Sequence, residues 1–206
     1  SVSNSLMADP QNAIDQYIGA GKEVLDTPVL LLELDVLERN ILKMSKTIIG
    51  EAGVGWRPHT KAMKNPDLAR LCLDAGAHGV TCAKLGEAEV MADGGITDIL
   101  VANEIVGAKK IARLVDLCKR ADIMVCVDQL DNAQQIDKAA RAAGVRPRVL
   151  VEVDVGMGRA GIQPGAAAVE LASQVSGLGN IRFVGLQTWE SHTVAISDTD
   201  EKNARF

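Results

Sequence analysis

Aromatic side chains are nearly absent from this 206-residue chain, which holds two Trp, two Phe and one Tyr. Proteins that grip single-stranded nucleic acid stack successive bases on such rings, so that class is excluded. Duplex nucleic acid is excluded on charge. The 22 Lys and Arg are scattered among 27 Asp and Glu, for a net charge of −5, and no basic run could neutralise several phosphates in a row. The four cysteines, Cys72, Cys82, Cys118 and Cys126, form no CxxC pair and fall in apolar segments, as packed reduced thiols do. The stretch VLLLELDVL is too short and too charged to span a bilayer, and SVSNSLMADPQNAIDQ lacks the basic and apolar regions of a signal peptide. A cytoplasmic protein with no membrane partner is expected. Histidine is scarce as well: His59, His78 and His192 are far apart, with no cysteine at ligand spacing, so no metal ligand is assigned among these residues.

What is present is a hydrophobic share of 47%, enough for a sizeable core. After a leader with a short helix (11 to 18), apolar strand candidates alternate with segments of helical apolar spacing, the pattern of a parallel sheet. The strands are expected at 29–34, 54–61, 79–84, 98–103, 122–128, 148–155 and 181–189. Asn65 and Asp131 are placed as helix N-caps, and Gly76, Gly94, Gly144 and Gly177 as C-caps. With 29–34 as a lead-in strand, six βα-type strands remain, and SDTDEKNARF opens another helix. The expectation is therefore an α/β fold, a (β/α)8 TIM-type barrel of which this chain carries about six of eight βα units. Residues 1–26 form the leader and 27–206 the partial barrel. An open doubly wound sheet of six strands is the alternative.

Strand alternation sorts the polar groups. In VGWRPHTK, Val54, Trp56, Pro58 and Thr60 share one face, and Gly55, Arg57, His59 and Lys61 the other. The second set should line the barrel interior, with Lys61 nearest the catalytic mouth. Such charges need anions, and RVLVEVDV offers Glu152 and Asp154 on the face opposite its valines. A structural ion network and a catalytic site are both compatible with this cluster. A lysine set among other cations gives up its proton more readily, the condition for Schiff-base chemistry.

VGMGRAG satisfies GxGxxG after a strand, yet Pro164 and Gly165 postpone the helix, and no acidic residue follows at the ribose-binding distance. The loop is read instead as one that aims Arg159 across the barrel mouth. His78 belongs at the bottom of the barrel and His192 at the top; Asn103 and Glu104 end a strand at the top, as caps or as ligands.

RPHTK, with TPVLLLELDVLERNI, GVTCAKLGEAE, DILVANEIVG and VEVDVGMGRAG in this order, resembles the D-threonine aldolase and D-serine dehydratase-like family. The resemblance implies an alanine racemase-type barrel followed by a C-terminal β domain, and pyridoxal phosphate on Lys61. It implies that Arg57 and His59 support the cofactor side of the pocket, that Arg159 reaches the pyridine ring, and that Gln187 lies near the cofactor; Asn103, at its strand end, is a further cofactor-binding candidate. Lys61, His59 and His192 are the catalytic candidates. The implied reaction is cleavage of D-3-hydroxy amino acids to glycine and an aldehyde by a homodimer. A divalent metal (Mn²⁺ or Mg²⁺), held mainly by residues beyond Phe206, would assist. Dehydration or racemisation of D-amino acids, a non-catalytic carrier of pyridoxal phosphate and an inactive fragment are the alternatives. Where relatives continue the GLQ segment with Ala-Tyr-His-Gly, this chain has Thr188, Trp189, Glu190, Ser191 and His192.

Overall fold

The structure, a computed structural model, describes Asp15 and residues 17–205. The expected helix at 11–18 therefore lies largely outside the described residues. The chain divides into two compact units, residues 1–39 and 40–206.

In the first unit the described part holds a 3-10 turn, Lys22–Val24, and the start of helix Leu34–Ser45. The expected lead-in strand at 29–34 does not form: residues 29–33 have no ladder partner and helix Leu34–Ser45 starts at the last of its residues. An apolar run becomes a strand only where a neighbour takes its N–H and C=O groups. Among the described residues none does, and Leu30 is 99% exposed.

The second unit is built on five parallel strands: β1 (Val80–Cys82), β2 (Asp98–Glu104), β3 (Asp122–Val127), β4 (Arg148–Val153) and β5 (Arg182–Thr188). Their spatial order is their chain order. The remaining expected strand, 54–61, runs beside β1 as extended chain. Trp56 O accepts from His78 N–H at 2.9 Å, Pro58 O from Thr81 N–H at 2.8 Å, and Thr60 N–H donates to Thr81 O at 2.7 Å. Pro58, which has no N–H, suits an edge position. A doubly wound sheet reverses its strand order at a switch point. Here the order never reverses, as in a barrel wall.

Helices follow the strands as expected: Pro66–Asp74, Leu85–Asp93, Ala108–Leu117, Leu130–Ala143, Ala166–Ser176 and Thr199–Asn203. Asn65 caps the first of them, its Oδ1 accepting from Asp67 N–H at 2.7 Å and Leu68 N–H at 3.2 Å. Replacing it with alanine should cost about 1 kcal/mol of stability in a urea unfolding titration. Asp131 is not an N-cap. Its helix starts one residue earlier, after Gln129, and the Asp131 carboxylate sits in the first turn, accepting from Gln135 Nε2 at 2.6 Å. A negative charge there suits the helix dipole.

The core has two sides. Between sheet and helices, Val80, Ile99, Val101, Ile123, Val125, Val149 and Val151 pack against Met91, Leu114, Ile136 and Leu171. On the opposite strand faces Leu100, Cys126 and Leu150 form a second cluster with Ala102 and Met124. The near-continuous apolar strands reflect burial on both faces.

Candidate active site

Above the inner cluster, at the C-terminal ends of the strands, lies a cavity of about 660 Å³. Arg57, His59, Lys61, Asn103, Arg159 and Gln187, six of the seven expected site residues, line it. The alternation holds: Trp56 and Thr60 are buried behind the wall, at 8% and 0% exposure, while Arg57, His59 and Lys61 face the cavity. Lys61 sits in the turn that ends this segment, so its amine stands free of the backbone ladder. No carboxylate among the described residues pairs with it, and its Nζ lies 5.6 Å from the centroid of the Trp189 ring. An indole face at that distance attracts a cation.

His59 Nδ1 accepts the Lys61 N–H at 3.2 Å. Burial, and then the nearby Lys61 charge, hold the His59 imidazole below its ordinary pKa, so the ring is neutral near pH 7. With Nδ1 accepting, the proton of the neutral ring belongs on Nε2.

The expected anion partners are corrected. Arg57 does not meet Glu152 or Asp154; its Nη2 pairs with Asp98 Oδ2 at 3.0 Å, at the start of β2. Arg148 joins them, hydrogen-bonded to Asp98 Oδ1 and to Asp122 O (2.9 Å), with its Nε 2.9 Å from Asp122 Oδ1 though poorly aligned for a hydrogen bond. Gly79 makes room for this, since a Cβ there would stand 2.3 Å from both Arg57 Nη1 and Asp98 O. Asp98 is held below the ordinary carboxylate range: burial works against its charge, but hydrogen bonds from Arg57 and Arg148 outweigh it. Strand register at the lower end of the sheet brings this network together, and it carries charge below the cavity floor.

Asp154 has a local task instead. Its Oδ1 accepts from Gly156 N–H and Gly158 N–H, each at 3.0 Å, which keeps the carboxylate ionised. The loop then returns to β4 through hydrogen bonds between Ile162 and the backbone of Glu152 and Asp154, both 2.9 Å. Gly161, at φ 104°, could not carry a side chain, because a Cβ would stand 2.6 Å from Asp154 N. The following helix starts only at Ala166, so the GxGxxG match opens no helix. The excursion leaves Arg159 on the cavity wall, its Nη2 4.0 Å from Glu152 Oε1.

His192 does not line the cavity. It lies in the turn after β5, against the glycine loop: a Cβ on Gly156 would be 3.0 Å from its Nε2, and its buried Nδ1 has no hydrogen-bond partner. His78 is at the foot of β1, as expected.

Asn103 and Glu104 both face the cavity because a register shift between β2 and β3 at this point breaks the alternation that would turn one of them away. Neither caps a helix. Asn103 donates to Ala83 O and accepts from Glu104 N–H, each at 3.0 Å. Trp189, absent from the expected site residues, also lines the cavity; it shares strand parity with Gln187, a signal sufficient to place it in the wall.

A run of parallel strands in chain order with a lysine at the mouth makes the wall of a (β/α) barrel with its site at the C-terminal ends of the strands. The chain belongs to the family described as "Alanine racemase, N-terminal domain", whose model matches residues 32–206. It is similar to the D-threonine aldolase of Arthrobacter sp., 42% identical over 165 residues, which cover 80% of this chain and 43% of that protein. It is also similar to the 3-hydroxy-D-aspartate aldolase of Paracoccus denitrificans, 36% identical over 190 residues, 91% of this chain and 49% of the relative. The crystal structure of D-threonine aldolase from Filomicrobium marinum superposes with a TM-score of 0.84 at 42% identity, covering 87% of this chain and 48% of that one. The chain thus spans about half the length of the relatives it matches.

Family membership implies pyridoxal phosphate, and the residues present fit it. An unpaired amine, a neutral imidazole and an arginine converge on one cavity of suitable size. A metal does not fit in the same way: among the described residues no group of three or more His, Cys, Asp or Glu could hold one. Among them, too, no helix is long and apolar enough to cross a membrane.

Proposed function

We propose that the full-length protein is a pyridoxal phosphate-dependent aldolase that cleaves D-3-hydroxy amino acids of the D-threonine type to glycine and an aldehyde. One observation carries this reading: the amine of Lys61 stands unpaired at the mouth of a cavity in a chain 42% identical to a D-threonine aldolase. Lys61 would hold the cofactor. When bound, pyridoxal phosphate supplies an electron sink that weakens bonds at the substrate's α-carbon.

The chain's own residues set the surroundings. The Arg159 guanidinium faces the cavity and would limit protonation of the cofactor's ring nitrogen. Gln187 and Asn103 stand in the neighbouring walls, their amides oriented by hydrogen bonds to Thr188 O and to the backbone of Ala83 and Glu104. His59 presents its Nε2–H as a donor, which leaves the β-hydroxyl proton to a base other than His59. His192, packed on the glycine loop, supports Arg159 indirectly. Assistance by Mn²⁺ or Mg²⁺ on ligands outside these residues, a homodimer and a cytoplasmic location belong to the same proposal.

Incubating the full-length protein with D-threonine, pyridoxal phosphate and Mn²⁺ should yield glycine and acetaldehyde in equal amounts. Absence of both would overturn the aldolase, and ammonia with a 2-oxo acid in their place would make the protein a dehydratase.

A further inference from the structure

Glu152 presents a physical problem that the cofactor site does not explain. It lies on the inner face of β4 at 5% exposure, where a charged carboxylate needs partners. Three groups from three elements supply them. Arg159 brings Nη2 to 4.0 Å of Oε1 from the loop after β4. Cys126 of β3 and Glu104 of β2, paired in register, share this inner face, and Glu104 lines the same cavity wall as Glu152.

Two carboxylates so close cannot both ionise without strong repulsion. Glu104 Oε1 is also buried, with no hydrogen-bond donor to satisfy it as an anion. Burial raises Glu104 above the ordinary glutamate range; a hydrogen bond from its own backbone N–H opposes this, and the charges of Glu152 and Asp128 add to it. Burial and the same two glutamates push the Cys126 thiol up, so it remains a neutral donor. The other polar groups nearby are committed elsewhere: Asp128 accepts from Gly161 N–H at 3.2 Å, and Asn103 bonds the backbone of Ala83 and Glu104.

We propose that Glu104 and Glu152 hold one proton between them, and that the single negative charge left on Glu152 positions Arg159 over the cavity. Both glutamates act as positioning residues. The value of an oriented Arg159 rests on the proposed cofactor site, but the pair itself does not.

Two readouts on the full-length protein without cofactor test this. In a carbon-13 NMR titration of glutamate-labelled protein, one carboxyl should keep its proton well above the ordinary 4.5, and its signal should vanish in Glu104→Gln. In phenylglyoxal modification followed by peptide mass mapping, Arg159 should react at least about threefold faster in Glu152→Gln than in the wild type, with exposed Arg141 as the internal reference. Ordinary titration of every glutamate, or an unchanged Arg159 rate in folded Glu152→Gln, would overturn the pair. Should Glu152→Gln not fold, the Glu104→Gln titration decides. Neither readout needs pyridoxal phosphate, so a protein that fails to bind it would sink the proposed function while still deciding this inference.

Discussion

Lys61→Ala should abolish the visible absorbance that pyridoxal phosphate is expected to acquire on binding to the full-length protein, and the proposed D-threonine cleavage should fall to background with it. This is the largest functional effect expected of any single substitution. The reason is positional: Lys61 is the lysine that lines the cavity, and its amine has no carboxylate partner among the described residues to occupy it. Two neighbours serve as controls. Lys64 is turned away to an ion pair with buried Glu87, 3.6 Å distant. Lys84, exposed at the N-terminus of helix Leu85–Asp93, lines no part of the cavity, so Lys84→Ala should keep the absorbance. Loss of the band in Lys84→Ala and its retention in Lys61→Ala would move the cofactor to the next strand.

The largest effect on stability is expected at Asp98. Its carboxylate holds two guanidinium groups whose side chains are 20% (Arg57) and 11% (Arg148) exposed. Removing one member of such a network leaves charge without a partner where water is scarce, so Asp98→Ala should lose about 3 kcal/mol in urea unfolding at neutral pH. The sign of the pH dependence follows from the lowered Asp98 pKa. Its contribution is present above the ordinary value of 3.8 and is lost as pH falls through the folded value, so the gap between wild type and variant should narrow in acid. A difference below about 0.5 kcal/mol at neutral pH would reduce the network to an ordinary surface cluster.

Periodicity made most of the barrel wall legible. Five of the seven expected strands appear as ladder strands and a sixth as extended chain beside β1, because buried parallel strands are short apolar runs whose limits are set by turns. The same alternation put Arg57, His59 and Lys61 on one face, and RPHTK located the cavity lysine. What alternation could not supply was register. His59 is paired across from Thr81 and Val80 from Ile99, which sets Arg57 level with Asp98 and not Glu152, while pairing of Asp98 with Asp122 and of Met124 with Arg148 brings in Arg148. The shift after Val101, which turns both Asn103 and Glu104 inward, has no signature in the amino acids around it. His192 was placed at the top of the barrel, but whether it enters the cavity depends on the path of the turn after β5, which packs it on the glycine loop.

The most direct test of the account is where pyridoxal phosphate attaches. The full-length protein is loaded with the cofactor, reduced with borohydride, digested and mapped by mass spectrometry. The account predicts a single modified peptide carrying the label on Lys61. Label on Lys84 or Lys64, or no stable incorporation at all, would contradict it.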